Sequence, residues 1–125
     1  MKPIDLVQEY TRVNAFTPVS IAAGTAGASI DLRNYAGGGT IEVNVAAGGG
    51  NVTFKLTESV DNVTFTDVTA ISQMDGVLPS QLVNAGNVAA FRLDPANLKR
   101  YVKIFGTPSA AAVVAGVGIL KKTYG

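Results

Sequence analysis

The side chains in this chain that could take part in chemistry are carboxylates, lysines and hydroxyls. The sequence contains no histidine, cysteine or tryptophan. Histidine is the commonest general base, cysteine supplies the thiol nucleophile, and both are the usual zinc ligands. A Ser-His-Asp or Cys-His catalytic unit therefore cannot be built. We expect that the chain is not an enzyme, with no catalytic residues, no cofactor and no metal site.

Three carboxylates, those of Glu58, Asp61 and Asp67, lie around one expected hairpin. Paired carboxylates can hydrolyse a glycosidic bond, and a dense run of acidic and amide residues can bind calcium. Residues 58–62 lack the alternating Asp and Asn ligands of a calcium loop. We expect Asp61 and Asn62 to form a turn, and Glu58 to face water.

Two glycine triplets, at residues 37–39 and 48–50, could suggest phosphate binding. A phosphate loop ends in Gly-Lys-Ser/Thr and leads into a helix. Here each triplet leads into an apolar-alternating segment instead. We expect both triplets to be flexible strand connections, and we expect no small-molecule substrate.

The basic residues Lys99, Arg100 and Lys103 flank Tyr101, and faces that combine cations with aromatic rings can bind single-stranded nucleic acid. The net charge of the chain is only +1, however, so a strongly basic surface is not indicated. The most apolar stretch, residues 110–120, is far shorter than the ~20 residues of a membrane span. The first ten residues carry Asp5 and Glu9 where a signal peptide needs an apolar run. We expect neither nucleic acid nor membrane as a partner, and synthesis in the cytoplasm.

Period-two alternation of apolar residues recurs from about residue 28 to the end of this 125-residue chain. Turn-forming Gly, Asn, Asp and Pro residues separate the alternating segments. This spacing predicts an all-β protein, an antiparallel β-sandwich of jelly-roll or Greek-key type with about seven or eight short strands. Helix is expected only as short turns, at residues 5–12 and 95–99. Asn51-Val-Thr-Phe recurs as Asn62-Val-Thr-Phe, which we interpret as the two arms of one hairpin.

Residues 1–18 form a separate segment in this interpretation, and residues 19–125 form the sandwich domain. The first segment carries little alternation and is expected to be an edge strand, a frayed terminus or an arm that packs on a neighbouring subunit. Residues 71–87 form a long irregular connection, which is often an interfacial loop. The candidate assembly contacts are the apolar side chains of these two segments: Ile4, Leu6, Tyr10, Val13, Phe16, Met74, Leu78 and Leu82.

Three stretches together resemble small structural proteins of tailed bacteriophages and prophages. The first joins residues 40–45 through a glycine loop to residues 52–59, the second is residues 60–68, and the third is residues 98–104 before a final Ala/Val/Gly strand. The resemblance covers about residues 28–121. It implies a virion structural protein, most similar to capsid decoration (cement) proteins, located on the capsid surface and bound to the major capsid protein. Such a role also implies a homo-oligomer, either a dimer or a trimer.

Two other roles fit the same residues. A neck, tail or spike component of the virion would differ from a decoration protein in copy number, about six or twelve against hundreds. A module that binds carbohydrate or a host surface is the other alternative, because small β-sandwiches often have that function.

Overall fold

The computed structural model describes residues 10–69 and 80–122, which fold into two antiparallel β-sheets. The strands of these ranges are, in chain order, β1 (Tyr10–Ile21), β2 (Thr25–Ala26), β3 (Ile30–Asp31), β4 (Tyr35–Val45), β5 (Val52–Ser59), β6 (Thr66–Asp67), β7 (Ser80–Val83), β8 (Val88–Leu93), β9 (Tyr101–Pro108) and β10 (Ala112–Lys122). The four-stranded sheet has the order β1-β10-β4-β8. In the six-stranded sheet β9 and β5 are central, with β2 and β3 along one side and β6 and β7 along the other.

The strand pairs are nested within one another along the chain. β1 pairs with β10, β2 and β3 pair with β9, β4 pairs with β8, and β5 pairs with β7. Nested antiparallel pairs rolled into two sheets make a jelly roll. The expected all-β antiparallel sandwich is thus confirmed, and its strand order is that of the jelly-roll alternative.

The strands differ from the expected short set in two respects. A jelly roll has eight strand positions. Two of them are each occupied here by two short strands, one by β2 and β3 and the other by β6 and β7. β1, β4 and β10 are long, with 12, 11 and 11 residues. β4 is long because the first glycine triplet lies within it: Gly39 pairs with Leu120 on one side and with Leu93 on the other. A side chain at Gly39 would overlap Leu120, so glycine here permits a close approach of two strands.

The core lies between the sheets and is formed by the inward-facing positions of both. Phe54 is fully buried and meets Phe16 edge to face, with ring centroids 6.3 Å apart. Burial of each large apolar side chain contributes roughly 1.5–3 kcal/mol. In β4, β5 and β8, the positions that the alternation predicts to face inward are all buried: Ile41, Val43, Val45, Val52, Phe54, Leu56, Phe91 and Leu93.

The second Asn-Val-Thr-Phe copy is not a strand, so the two-arm interpretation of the hairpin is wrong in this part. Asn62 has a positive φ of 61°, and only Thr66 and Asp67 pair with β5. Val63 is exposed and Phe65 is half-buried. Of the two expected helical turns, Pro95–Asn97 forms a single 3-10 turn capped by the Asp94 side chain. The other falls partly outside the described residues, and its last three residues belong to β1.

β1 is an edge strand of the four-stranded sheet, so the expected boundary at residue 18 falls inside a strand. Its pairing with β10 is interrupted by bulges around Phe16. At the bulge the Ala15 carbonyl accepts a hydrogen bond of 3.0 Å from the Ala28 amide, which joins this edge to the chain leading into β3. Within the two described ranges, no helix is long and apolar enough to cross a bilayer.

Candidate contact surfaces

Residues 60–65 form a loop between β5 and β6 that is held by one carboxylate, that of Asp61. The Asp61 Oδ1 atom accepts hydrogen bonds from the amides of Val63 at 2.9 Å and Thr64 at 3.0 Å. It also accepts the hydroxyl proton of Ser59 at 2.8 Å. These bonds to Thr64, Val63 and Ser59 lower the pKa of Asp61 from 3.8 to about 2. The carboxylate is therefore ionised, and the loop fully bonded, at neutral pH.

Ser59 and Asn62 fix the loop from its other side. The Ser59 hydroxyl oxygen accepts hydrogen bonds from the amides of Asp61 at 3.2 Å and Asn62 at 3.0 Å. The Asn62 side-chain carbonyl accepts a hydrogen bond from the hydroxyl of Ser29, which is distant in sequence. The positive φ of Asn62 is of the kind that asparagine tolerates. The loop thus has one defined shape without a buried side chain of its own.

Val60 and Val63 project from this loop into solvent, with 70% and 80% of their surfaces exposed. Side-chain-to-backbone hydrogen bonds hold the loop, so neither valine is needed to stabilise it. A segment that is already ordered loses little conformational entropy when it binds a partner. Two apolar side chains on such a loop form a pre-organised candidate contact surface.

The end of the roll that carries the loop is tied together by polar bonds. Glu58 is buried and accepts a hydrogen bond of 3.0 Å from the Lys99 amide, so the expectation that it faces water is wrong. The reason is strand parity, because Glu58 shares the inward side of β5 with Leu56. Arg100 forms a salt bridge of 2.9 Å with Asp31, and this bond lowers the pKa of Asp31.

Aromatic rings beside the outer face of the six-stranded sheet are covered by cations of the chain itself. Lys55 lies 5.2 Å from the ring centroid of Phe105, and Arg100 lies 4.9 Å from that of Tyr101. Lys103 lies 4.5 Å from the ring centroid of Phe65. Each contact contributes about 0.5–1 kcal/mol at an exposed site. These cation–π contacts occupy ring faces on which a base or a sugar would otherwise stack.

The outer face of the four-stranded sheet is different, because its centre is apolar. The outward side chains of β10 form a row that we call the β10 stripe: Val113, Ala115, Val117 and Ile119. Val113 and Ile119 are 49% and 43% exposed. A sheet face in contact with water normally alternates to polar residues. The β10 stripe departs from that alternation and leaves apolar side chains on the outside of the sheet, which makes it a candidate contact surface.

Polar side chains border the β10 stripe on both sides. On β1, Arg12 pairs with Ile119, and on β4, Glu42 pairs with Val117. The stripe and its borders enclose a shallow trough of about 480 Å³, whose floor is made by Ala115, Gly116 and Val117. Among the described residues, neither Arg12 nor Glu42 takes part in a salt bridge. The described part of the chain also contains no group of three acidic side chains that could hold a metal ion.

No family model matches the chain, and no curated protein matches it in sequence. Among solved structures, the SPBc2 prophage-derived protein YomS is similar with a TM-score of 0.54 and 15% identity, over 89% of this chain and 93% of YomS. A chain of the Bacillus endospore appendages, which form disulfide-linked pili, is similar with a TM-score of 0.53 and 15% identity, over 99% of this chain and 98% of that one. At this identity the similarity shows a shared fold.

The structure separates the candidate assembly contacts that the sequence suggested. Tyr10 is partly exposed on β1, whereas Leu82 is 65% exposed on the six-stranded sheet. Val13 packs against the core and Phe16 is part of it, so both side chains serve the fold. Ile4, Leu6, Met74 and Leu78 lie outside the described residues.

Sequence reasoning did not select the candidate contact surfaces described above, namely Val60, Val63 and the β10 stripe. A signal for the stripe was present. Residues 112–120 are apolar at both odd and even positions, as in strands that are covered on both faces. The two valines carried no such signal, because their exposure depends on the hydrogen bonds of Ser59 and Asp61.

Proposed function

We propose that this chain is a structural subunit of a bacteriophage particle that decorates the outside of the capsid by binding the major capsid protein. The observation that carries the proposal is the rigid 60–65 loop, which holds two exposed valines at one end of the jelly roll. The loop end would meet the shell, with Val60 and Val63 buried in the contact.

The sequence resemblance and the fold similarity support this role from separate directions. The stretches that resemble phage structural proteins include residues 52–59 and 60–68, which together build the loop end. Within it Glu58 binds the Lys99 amide, while Ser59 and Asp61 hold the loop. The fold is also that of YomS, a prophage-derived protein. A role in a phage particle would account for both.

The similarity to the endospore appendages bears on how assembly would occur. Those appendages form disulfide-linked pili, whereas this chain contains no cysteine. Its assembly would therefore not depend on disulfide bonds. A contact as small as two valines is weak by itself, but repetition over a symmetric shell multiplies its effect. The proposal includes no enzyme activity and no cofactor, consistent with a sequence that lacks histidine and cysteine.

The test is reconstitution on phage capsids that lack this protein. Purified chain is added over a range of concentrations, capsids are pelleted, and the bound copies are counted. We expect saturable binding by the unmodified chain. The double substitution Val60→Ser/Val63→Ser should weaken binding at least about tenfold, because two apolar side chains lose their burial.

The matched control is Val88→Ser, which removes an exposed valine from β8, away from the loop. We expect this variant to bind as the unmodified chain does. Equal losses for the control and the loop variant would contradict the assignment of the loop as the contact. Failure of the unmodified chain to bind capsids, together with its presence in necks or tails, would overturn the decoration role.

A further inference from the structure

We propose that the outer face of β1, β10 and β4 binds a second copy of this chain, face to face, about a two-fold axis that runs parallel to β10. The β10 stripe of one copy then lies on the β10 stripe of the other. This inference does not depend on the proposed function, because it needs neither a capsid nor the 60–65 loop.

The apolar stripe supplies the attraction in this arrangement. Val113, Val117 and Ile119 are partly or largely accessible in the single chain and would be covered in the pair. Sheets that pack face to face lie about 10 Å apart with their strands within about 30° of parallel. Side chains of the two outer faces can interdigitate at that distance.

The charges that border the stripe identify a second copy as the partner. A two-fold interface is self-complementary, so each residue contacts the residue that its symmetry mate contacts in turn. An axis along β10 places β1 of one copy over β4 of the other. Asn14 and Glu42 both pair with Val117, so the Asn14 amide of one copy faces the Glu42 carboxylate of the other. Arg12 is two residues along β1 from Asn14, so its long side chain can reach the same carboxylate.

The trough on this face gives the arginine a place to lie. Its floor is low because Ala115, the outward-facing residue at this point of β10, has only a methyl side chain. The methylene stem of Arg12 from one copy would cover this floor in the other copy while its guanidinium reaches Glu42. Long cationic side chains commonly cover apolar surface in this way. The pair would contain two such contacts, one on each side of the axis.

The size of the face predicts a weak pair. Three strands spaced about 4.8 Å apart, over the stretch from Val113 to Lys121, give a footprint of about 400 Å² per copy. Stable complexes bury about 800 Å² per partner. We therefore expect a dimer that forms between about 10 µM and 1 mM and that is favoured further where copies are crowded together.

Sedimentation equilibrium of the purified chain over that concentration range tests the proposal. The unmodified chain should change from monomer to dimer and stop there. Val113→Ser should weaken the dimer at least about fivefold, because it removes an apolar side chain from the stripe. Val88→Ser is the matched control on the same sheet, and it should leave the equilibrium unchanged because β8 lies beyond the paired strands.

A charge reversal tests the pairing itself. Arg12→Glu and Glu42→Arg should each weaken the dimer about tenfold or more, since each places like charges together across the axis. The double variant should restore affinity to within about threefold of the unmodified chain. A chain that stays monomeric at 1 mM would overturn the proposal, and so would a double variant as weak as the single ones. Burial of the β10 stripe by the capsid protein, with no dimer of this chain, would overturn it as well.

Discussion

Asp61 is the residue on which the shape of the loop depends. Its pKa is lowered from 3.8 to about 2 by its bonds to Thr64, Val63 and Ser59. Because the pKa is lower in the folded chain than in the unfolded one, the contribution of the ionised group is complete above pH 3.8. It is lost as the pH falls through about 2.

This titration can be followed at two amides. We expect the NMR signals of the Val63 and Thr64 amides to stay constant from pH 7 to about 4 and then to shift together, with a midpoint near 2. Asp61→Asn keeps an acceptor oxygen without the charge. In this variant the two amide signals should keep the chemical shifts of hydrogen-bonded amides and should show no transition with pH. A midpoint near 4 in the unmodified chain would show that the carboxylate is not held by these bonds.

Phe54 and Phe65 occupy equivalent places in the two Asn-Val-Thr-Phe copies but differ in burial. Phe54 is in the core against Phe16, whereas Phe65 is half-buried beneath Lys103. Phe54→Ala should lower the free energy of unfolding by about 3–5 kcal/mol, because it leaves a cavity. Phe65→Ala should cost on the order of 1 kcal/mol. Denaturant unfolding measures both, and similar losses would contradict the assignment of Phe65 to the loop.

At the scale of single residues, alternation alone predicted which side chains of β4 and β5 face inward. The same alternation places Glu58 on the inward side of β5. We nevertheless expected it to face water, because it is a charged residue at the end of a strand. The bond from the Lys99 amide that satisfies this carboxylate comes from a segment 41 residues later. Such a partner is set by tertiary structure, and no local pattern predicts it.

At the scale of elements, the attachment of β1 depends on Gly27. A Cβ atom at this position would overlap the carbonyl oxygen of Ala15 and lie 2.8 Å from the ring of Phe16. Gly27→Ala should therefore destabilise the protein by about 1–3 kcal/mol. In Gly24→Ala the new atom meets the end of the Phe105 ring, which can turn aside, so we expect a smaller loss. A smaller loss for Gly27→Ala than for this control would show that β1 is not locked at its bulge.

The elements that the sequence predicted well are those whose pattern is local. The central strands β4, β5, β9 and β10 have clear alternation or a continuous apolar run. Residues 62–65 of the loop have the same Asn-Val-Thr-Phe sequence as residues 51–54 at the start of β5, and the local pattern could not distinguish the two. What distinguishes them is the pair Ser59 and Asp61, together with Ser29 from across the fold. The first glycine triplet, residues 37–39, was expected to be a strand connection but lies within β4. The absence of a side chain at Gly39 lets the neighbouring strand approach closely.

At the scale of the whole molecule, an antiparallel sandwich followed from composition and spacing, but the choice of jelly roll did not. That choice rests on pairs such as β1 with β10, which join the two ends of the described chain. The same topology sets the positions of the two proposed contact surfaces. β4 runs into β5 through residues 46–51, so the Ser59 end of β5 and the Tyr35 end of β4 lie at the same end of the roll.

This placement connects the two proposals. A two-fold axis parallel to β10 keeps the strand direction of both copies, so both 60–65 loops of a pair would face the same way. A pair could then contact one shell through two loops, and the second contact would form at a high effective concentration. Loss of the pair would weaken attachment without removing it.

Electron cryomicroscopy of the reconstituted capsids tests the central claim most directly. We predict density for this chain at regular positions over the outer shell, with the 60–65 loop end toward the capsid protein. An undecorated shell at saturating concentrations of the chain would contradict the claim. Density confined to the neck or tail of complete particles would contradict it equally.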